Sequence, residues 1–541
     1  MTRLAVLLRQ RARRDRLQLA LWLVGTALLA YASVSAVFDT YGDAEDREEI
    51  LGIAIATRTI LVFRGTPNGI DEGAFAFFLL FAWLALMGGL MSTFLAVRHT
   101  RMEEEQGRAE YVASTPAGRI LPTIATVVHG VLANIGLGLL IALALIGNGL
   151  DSSGSLVAGA AIAASGIAFL AFGLFAAQLF RTSRGANGAS VAFVLAAYLL
   201  RGLGDAAGTP SEDLLHVTPA WPTWLSPIGY GQLTGAFVEN DLRPLLVPLG
   251  FAVVMIGVVF ALQSVRDQGA SLLPGRAGRA TAGPVLSSSF GLAWRLNLSI
   301  LLSWTAGGIA TGLLATSLSS IVGDVAGSNP QVIEILRRAM GDDASIEQAF
   351  VATFYGVVGI LAACCAVQVG IRARQEEVHG TAEMVLATRV PRVRWLLEYW
   401  VVGVIVIVVV LAAAGIAGVL GASRASDPET LIPNVLEAAA AQLPACLVFL
   451  GVTLLVFAFL PRATIPLGWT IVGVAAILGT FGPILQLPEW LTELSPFAHS
   501  PVPSGDDTDW SGGLWLLAIG LGAAAAAVVA MRRRELTSGG G

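Results

Sequence analysis

The sequence is poor in charged residues. They make up 13% of the 541 positions, whereas hydrophobic residues make up 55%, and the mean hydropathy is +0.73. A water-exposed surface needs roughly 25% charged residues, so a chain of several soluble domains is excluded. The existing charges form short clusters between long apolar runs, which indicates a polytopic membrane protein whose outer surface faces lipid.

Lysine is absent, because all 33 basic residues are arginine. A Walker A phosphate loop, a Schiff-base enzyme and a protein kinase each need a positioned lysine. The chain therefore cannot be a standard ATP-hydrolysing subunit. We expect no catalytic site, no cofactor on this chain and no nucleic-acid partner.

Cysteine and histidine are also scarce. The three cysteines lie in apolar runs, and the neighbouring Cys364 and Cys365 cannot form an ordinary disulfide. The sequence predicts no metal site, because no ligand spacing relates the five histidines, His99, His129, His216, His379 and His499. His129 falls inside an apolar run, and we interpret it as a hydrogen-bonded helix contact in preference to a proton relay.

Twelve apolar runs are long enough to span a bilayer as helices. They occupy residues 17–38, 74–97, 120–146, 156–180, 188–204, 243–265, 296–322, 349–371, 396–420, 436–459, 465–485 and 513–531. The fifth run ends in Arg201 and Asp205, whose i,i+4 spacing predicts an ion pair at the helix end. A signal peptide is the competing interpretation of the first run. We reject it because about 22 apolar residues exceed the roughly 7–15 of a signal peptide.

The arginines predict on which side each loop lies. With the amino terminus inside, 25 of the 33 arginines fall in inside segments, as the positive-inside rule requires. Both termini are then expected to be cytoplasmic, in a bacterial plasma membrane. Residues 4–16, rich in leucine and arginine, are expected to form an amphipathic helix on the inner leaflet.

Two acidic segments repeat one another. The first acidic segment, residues 101–115, follows the second run, and the second acidic segment, residues 374–388, follows the eighth. At an offset of 273 they share eight of fifteen residues: Arg101/Arg374, Glu103/Glu376, Glu104/Glu377, Gly107/Gly380, Ala109/Ala382, Glu110/Glu383, Val112/Val385 and Thr115/Thr388. Each segment also follows the second run of its group of six. The similarity together with the matching position argues against coincidence.

Other features recur at similar offsets. Leu-Ser-Pro occurs at 225–227 and at 494–496, and an arginine, Arg266 or Arg534, follows the sixth and the twelfth run. The sequence therefore predicts two parallel six-helix halves. The first half comprises residues 1–265 and the second half comprises residues 296–541. A cytoplasmic linker, residues 266–295, joins them.

The acidic segments suit docking to another protein. As helices they would carry charged residues beside an apolar stripe of Ala109, Val112 and Ala113. A solvated charged turn is the plainer alternative, but the pattern occurs twice at matching positions. Two equivalent sites indicate a partner that is itself a dimer.

On these features the chain resembles the membrane subunits of ABC exporters of the ABC-2 class, in particular the long two-repeat permeases of the polyketide-antibiotic or tetronasin kind. The resemblance covers essentially the whole chain and rests on the amphipathic start, the acidic segments, the Leu-Ser-Pro elements and the arginine endings. It implies that residues 4–16 form an elbow helix. It also implies that the acidic segments are coupling helices seated on two copies of a separate ATPase subunit, which binds ATP and Mg.

The residues expected to couple this chain to the ATPase follow from the repeat. They are Arg101, Glu103, Glu104, Gly107, Glu110, Thr115, Arg374, Glu376, Glu377, Gly380, Glu383 and Thr388. The second half departs from the pattern, because no basic elbow precedes residue 296 and Val378-His379 replace Glu105-Gln106. Its coupling site is expected to be the weaker of the two.

Sparse charge within the runs favours an apolar or amphipathic small-molecule cargo over an ion. The resemblance favours the second, fifth, eighth and eleventh runs as walls of a cargo cavity. Their aromatic residues are the candidate contacts: Phe75, Phe78, Trp83, Phe193, Tyr198, Phe354, Tyr355 and Trp469. Half of the aromatic residues in these runs are expected to face lipid or neighbouring helices instead.

The sequence thus favours the permease subunit of an ATP-driven exporter that moves hydrophobic or amphipathic compounds, of antibiotic or multidrug type, out of the cell. The main alternative is a proton-driven twelve-helix secondary transporter of the major-facilitator type. That family has a short basic loop after its second helix, unlike residues 101–115. A membrane scaffold or an immunity protein stays open as a non-transport alternative.

Overall fold

The chain folds almost entirely as helices. The computed structural model describes residues 3–534 except 57, 116–117, 268, 274–280, 282, 329–345, 424–427, 482–487 and 504–507. Twelve helices in this part of the chain are long and apolar enough to cross a membrane, which confirms the predicted number. The chain is an all-α, multi-pass membrane protein.

The helices belong to two compact units, Met1–Ala277 and Gly278–Gly541. The first unit contains the first to sixth spans, namely Arg3–Thr40, Glu72–Arg98, Leu121–Gly147, Ser152–Leu179, Ser183–Ala206 and Leu246–Val265. The second unit contains the seventh to twelfth spans, namely Ser289–Ser328, Ile346–Val378, Arg392–Ala422, the consecutive pair Pro428–Ala441 and Leu443–Phe459, Thr464–Ala476, and Ser511–Arg533.

Shorter elements connect the spans. The helices among them are Ala44–Ala56, Arg58–Arg64, Arg101–Glu105, Arg108–Ala113, Pro227–Gln232, Thr381–Leu386 and Glu489–Thr492. Further single turns are the 3-10 segments Trp221–Leu225, Arg243–Leu245, Pro284–Leu286, Pro461–Ala463 and Pro496–His499, and the π-helical turn Ile477–Phe481. One antiparallel hairpin pairs Thr209–Pro210 with Val217–Thr218. The sequence did not predict it, since two-residue strands are too short to show alternation.

The fourth span is the centre of the first unit, where it packs against the second, third, fifth and sixth spans. Close approach depends on glycine: a Cβ on Gly159 would collide with the Gly138 carbonyl oxygen of the third span. The tenth span has the corresponding neighbours in the second unit, the eighth, ninth, eleventh and twelfth spans. There Gly451 faces the Gly520 carbonyl of the twelfth span. The two units are therefore packed on the same plan.

The first span begins much earlier than its apolar run. Residues 4–16, expected as a separate elbow helix, continue into the span as one unbroken helix, Arg3–Thr40. No glycine or proline occurs in this helix before Gly25, so nothing in its first half favours a break. Arg11 and Asp15 are buried in its early turns. The start of the helix is thus packed against the first unit.

Both Leu-Ser-Pro elements begin a short helix in the same way. The Ser226 hydroxyl accepts a hydrogen bond from the Ile228 N–H at 3.2 Å, and the Ser495 hydroxyl accepts one from the Phe497 N–H at 3.2 Å. In each case the proline is the first helical residue, where no N–H is needed. The sequence repeat at these elements is also a repeat of local structure.

The ion pair predicted at the end of the fifth span is present, but it is buried. Arg201 Nη1 lies 2.9 Å from Asp205 Oδ2, and both side chains are 0% exposed. Asp205 also accepts a hydrogen bond from the Thr223 hydroxyl at 2.9 Å, and Arg201 donates one to the Val62 carbonyl at 2.7 Å. The segments that follow the first and fifth spans cover this helix end, so the pair joins those segments to the fifth span.

Candidate functional site

Each acidic segment turns at a left-handed glycine. Gly107 has φ 71° and ψ −2°, and Gly380 has φ 71° and ψ 2°; other residue types adopt this backbone only at a cost. A short helix follows each glycine. At its end the hydroxyls of Thr115 and Thr388 each donate a hydrogen bond of 2.6 Å to the carbonyl three residues earlier. The two segments therefore have the same local fold.

Replacing Gly107 with alanine is expected to lower the free energy of unfolding by about 1 kcal/mol, because an L side chain is strained at this positive φ. No atom lies within 4 Å of the added Cβ, so the cost comes from the backbone alone. Gly136 in the third span has the same open space with a helical backbone. Gly136→Ala should not destabilise the protein in thermal melts in detergent. Equal losses in both variants would rule out the backbone explanation.

In the first acidic segment, Glu104 is held between two arginines. It accepts hydrogen bonds from Arg101 at 2.8 Å and from Arg266, just after the sixth span, at 2.5 Å. Arg101, which is 1% exposed, also donates to the Ala177 carbonyl near the end of the fourth span at 2.9 Å. This ion triad ties the segment to the ends of the fourth and sixth spans.

The second acidic segment contains the same ion triad. Glu377 accepts hydrogen bonds from Arg374 at 3.0 Å and from Arg534, just after the twelfth span, at 2.5 Å. Arg534 also donates to the Phe457 carbonyl near the end of the tenth span at 2.8 Å. The segment is thus tied to the ends of the tenth and twelfth spans.

The residues predicted to couple to an ATPase differ in how far they are buried. The inner set, Arg101, Glu104, Arg374 and Glu377, is engaged inside its own unit. Glu110 and Glu383 are exposed, and each precedes a large exposed side chain, Tyr111 at 78% and Met384 at 69%. Tyrosine and methionine are enriched where proteins contact one another, and polar residues such as glutamate occur at the rim of such contacts.

The apolar stripe of the first segment does not point outward as the sequence suggested. Ala109 and Val112 line a cavity inside the first unit, and Ala382, the counterpart of Ala109, is 1% exposed. The side chain of Ala113 lies outside the described part. An apolar stripe marks the helix face that packs against other groups, and in the first segment this face is half-buried against the segment's own unit.

The two acidic segments differ in their outer contacts. Glu103 accepts hydrogen bonds from Arg108 at 2.9 Å and forms an ion pair with Arg14 of the first span; the hydrogen bond to Glu103 raises the pKa of Arg108. Its counterpart Glu376 accepts a hydrogen bond of 2.6 Å from the Thr381 hydroxyl. In the part of the second unit that the structure describes, Glu376 pairs with Arg372, four residues earlier on the same helix. This difference agrees with the missing basic elbow of the second half.

A buried polar cluster joins the first three spans, and sequence reasoning missed it. Asp15 Oδ2 hydrogen-bonds with Nε2 of His99 and, at 3.0 Å, with Nε2 of His129, while Arg98 Nε lies 3.0 Å from Asp15 Oδ1. The three acidic and imidazole groups lie within 4.8 Å, close enough to hold a metal ion. Arg98 already balances the charge of the carboxylate. We therefore interpret the cluster as a structural hydrogen-bond network that holds the first three spans together, and we call it the polar lock. His129 makes the kind of hydrogen-bonded contact that the sequence favoured.

The five aromatic cargo candidates of the first unit lie in three different places. Phe75 and Phe78 are buried against the helices that follow the first span. The Tyr198 hydroxyl donates to a backbone carbonyl at 2.5 Å, and its ring lies 5.7 Å from that of Trp83. Phe193 stacks on Phe172 with ring centroids 3.8 Å apart. Of these five, Trp83 is the most exposed, at 41%.

The three candidates of the second unit are also spread out. Tyr355 is fully buried, and its hydroxyl donates to the Ala414 carbonyl at 2.9 Å. Phe354 packs against the same core, whereas Trp469 is 39% exposed. Trp83 and Trp469 are consequently the two most exposed of the eight candidates.

Comparison with known proteins decides the family. The chain is 34% identical over 540 residues to the multidrug efflux system permease protein Rv1217c of Mycobacterium tuberculosis (strain ATCC 25618 / H37Rv), a match that covers 98% of this chain and 94% of the relative. The chain belongs to the multidrug efflux system permease family. Residues 286–532 of this permease also match the family described as multidrug efflux system permease Rv1217c, C-terminal domain.

The polar lock of this permease yields a second stability prediction. Asp15→Asn removes the buried carboxylate that accepts hydrogen bonds from His99 and His129 and is expected to cost about 1–3 kcal/mol, because buried polar groups lose a charged partner. Asp39 lies on the same helix but is exposed, so Asp39→Asn should melt like the wild type. Detergent melting curves measure both; indistinguishable curves for the two variants would refute the lock.

Proposed function

We propose that this permease is the membrane subunit of an ATP-driven ABC exporter of the ABC-2 class, of the long two-repeat kind, and that separate ATPase subunits dock on its two acidic segments. One observation carries the proposal. The same turn, short helix and ion triad occur in both units, and each short helix contains an exposed glutamate followed by a large exposed side chain. A repeated exposed surface of this kind suits a dimeric partner.

The ion triads support a coupling role, because they fix each acidic segment to the ends of the neighbouring spans. In the first unit, Glu104 joins the segment to Arg266 at the end of the sixth span. In the second unit, Glu377 joins it to Arg534 at the end of the twelfth. Closure of a docked ATPase dimer would then move whole spans rather than bend a loop. The halves would alternate between access from the inside and access from the outside.

ATP binding belongs to the partner in this proposal. The chain has no lysine for a phosphate loop, so ATP and Mg would bind to the ATPase subunits, two copies per chain. The permease itself would be a transport subunit without a catalytic site. Both termini would lie in the cytoplasm of a bacterial cell, because this orientation places 25 of 33 arginines inside the plasma membrane.

The proposed cargo is a hydrophobic or amphipathic small molecule. The spans carry few charges, and the Mycobacterium tuberculosis relative is named a multidrug efflux permease. Trp83 and Trp469 combine large rings with high exposure, so we assign them the first contacts with cargo. Aromatic rings bind diverse apolar molecules without demanding one hydrogen-bond pattern.

Dye uptake into inverted membrane vesicles tests the function. Vesicles that contain the permease and its ATPase are expected to accumulate a hydrophobic fluorescent dye when MgATP is added, and a protonophore should leave this uptake unchanged. Vesicles with the permease alone serve as the control. Uptake that needs a proton gradient and ignores ATP would instead establish the secondary transporter.

A further inference from the structure

A cavity of about 110 Å³ lies inside the first unit, beneath the start of the first span. The first acidic segment, the start of the third span and the ends of the fourth and sixth spans form its other walls. Five arginines line it: Arg11, Arg14, Arg108, Arg119 and Arg266. The acidic residues among its described lining residues are two glutamates, Glu103 and Glu104. The side chains around the cavity therefore leave three positive charges in excess.

The glutamates are already occupied by three of the arginines. Glu103 pairs with Arg14 and Arg108, and Glu104 pairs with Arg266. The remaining two arginines have carbonyl partners only: Arg11 donates to Pro122 and Arg119 to Arg266, each at 2.7 Å. Their positive charges thus have no ion-pair partner among the described residues.

Arg11 is the most informative of these residues. It is 8% exposed, and its Nη1 is buried without a hydrogen-bond partner. A buried guanidinium N–H that donates to nothing is unfavourable by roughly 1–3 kcal/mol. An anionic oxygen in the cavity would remove this penalty. The cavity is therefore lined by a buried arginine that retains an unused hydrogen-bond donor.

We propose that this cavity binds a phosphate group, carried either by an anionic phospholipid or by free inorganic phosphate. Guanidinium groups match phosphate oxygens in geometry and charge. Both Arg11 and Arg119 would donate to the phosphate, and Arg14, Arg108 and Arg266 would add to the positive field. Phosphate binding in this cavity does not require the ATPase, since all of the lining residues belong to the permease.

The position along the first helix suits a lipid headgroup. Leu17 and Leu21 are 73% and 76% exposed, as expected where a helix enters the hydrocarbon layer. At a rise of about 1.5 Å per residue, Arg11 lies roughly 9 Å before Leu17 along the helix. That distance is comparable with the thickness of the headgroup layer, about 5–8 Å on each side. Leu7 and Val112 add apolar walls beside the arginines, which suit the glycerol end of a lipid.

The occupant would act on the first acidic segment only. Glu103 and Arg108 of that segment share the cavity with Arg14 of the first span. In the second half Glu376 pairs with Arg372 and accepts a hydrogen bond from Thr381, both close to it in the sequence. A phosphate bound beneath the amino-terminal helix would therefore stabilise one docking helix and not the other.

Native mass spectrometry of the full-length permease tests the lipid source. The protein is reconstituted in phosphatidylcholine nanodiscs that contain phosphatidylglycerol and then released. We expect the wild type to retain phosphatidylglycerol and Arg11→Gln to bind it roughly tenfold more weakly, because one charged donor is lost. Arg13→Gln is the matched control, since Arg13 is exposed on the same helix and does not line the cavity.

Titration calorimetry with inorganic phosphate in a neutral detergent tests the free-anion source. Heat of phosphate binding that Arg11→Gln weakens, without retention of phosphatidylglycerol, would support the site with free phosphate as its ligand. Arg119→Gln provides a second variant that should fold normally, because Arg119 is exposed; it should weaken binding of the same ligand. No binding of either probe, or equal effects of Arg11→Gln and Arg13→Gln, would overturn the proposal.

Discussion

Glu377→Gln is expected to lower the free energy of unfolding of the permease by about 3 to 5 kcal/mol, the usual effect of removing one partner from a buried ion pair. The Glu377 side chain is 2% exposed and lies between Arg374 and Arg534 at 3.0 and 2.5 Å. Glutamine keeps the size but removes the negative charge. Two arginines, each at most 10% exposed, would then share a low-dielectric site without a counter-ion.

Thermal unfolding in detergent measures this effect. The matched control is Glu383→Gln, because Glu383 lies six residues further on in the same segment and is exposed; its effect should stay within about 0.5 kcal/mol. Glu104→Gln should reproduce the loss in the first unit, where Arg101 and Arg266 are the partners. If the Glu377 and Glu383 variants melted alike, the ion triads would not stabilise the bundle ends.

Charge reversal of the two exposed glutamates is the second change with a large expected effect. In the double variant Glu110→Arg with Glu383→Arg, affinity for the ATPase and ATP-driven export should fall roughly a hundredfold, because like charges placed across an interface cost several kcal/mol. Both residues are exposed, so the melting temperature of the permease alone should not change. Co-purification and dye uptake measure the two effects.

Asp39→Arg is the control for this experiment, since Asp39 is also exposed and belongs to no acidic segment. It reverses the same kind of charge elsewhere, and export should persist. The single variants separate the two docking sites. Arg14 of the first span forms an ion pair with Glu103 of the first segment. Because this pair holds the first segment in place, Glu110→Arg should reduce export more than Glu383→Arg. Normal export by the double variant would contradict docking at these glutamates.

The twelve spans could be predicted because one physical quantity sets them. About 20 apolar residues are needed to cross the hydrocarbon layer, and such runs can be read directly from the sequence. The repeat was equally visible in the sequence. Its identical glycines, Gly107 and Gly380, adopt the same left-handed turn in the structure. An alignment could not show that Arg266 and Arg534 bind Glu104 and Glu377, because these partners are more than 150 residues apart in the sequence.

Other features depend on packing that a linear pattern does not record. Asp15, His99 and His129 come from three helices, so their cluster has no spacing signature. The i,i+4 spacing of Arg201 and Asp205 predicted the pair but not its burial. Periodicity likewise marked an apolar stripe on the first acidic segment without showing that the stripe faces inward.

In the proposed exporter, each of the two acidic segments docks one ATPase subunit. Native mass measurement of the permease co-expressed with its ATPase tests this claim most directly. We expect a complex of one permease chain with two ATPase copies in the wild type, one copy in Glu110→Arg or Glu383→Arg, and none in the double variant. A wild-type permease that carries no ATPase, or a double variant that still carries two, would contradict it.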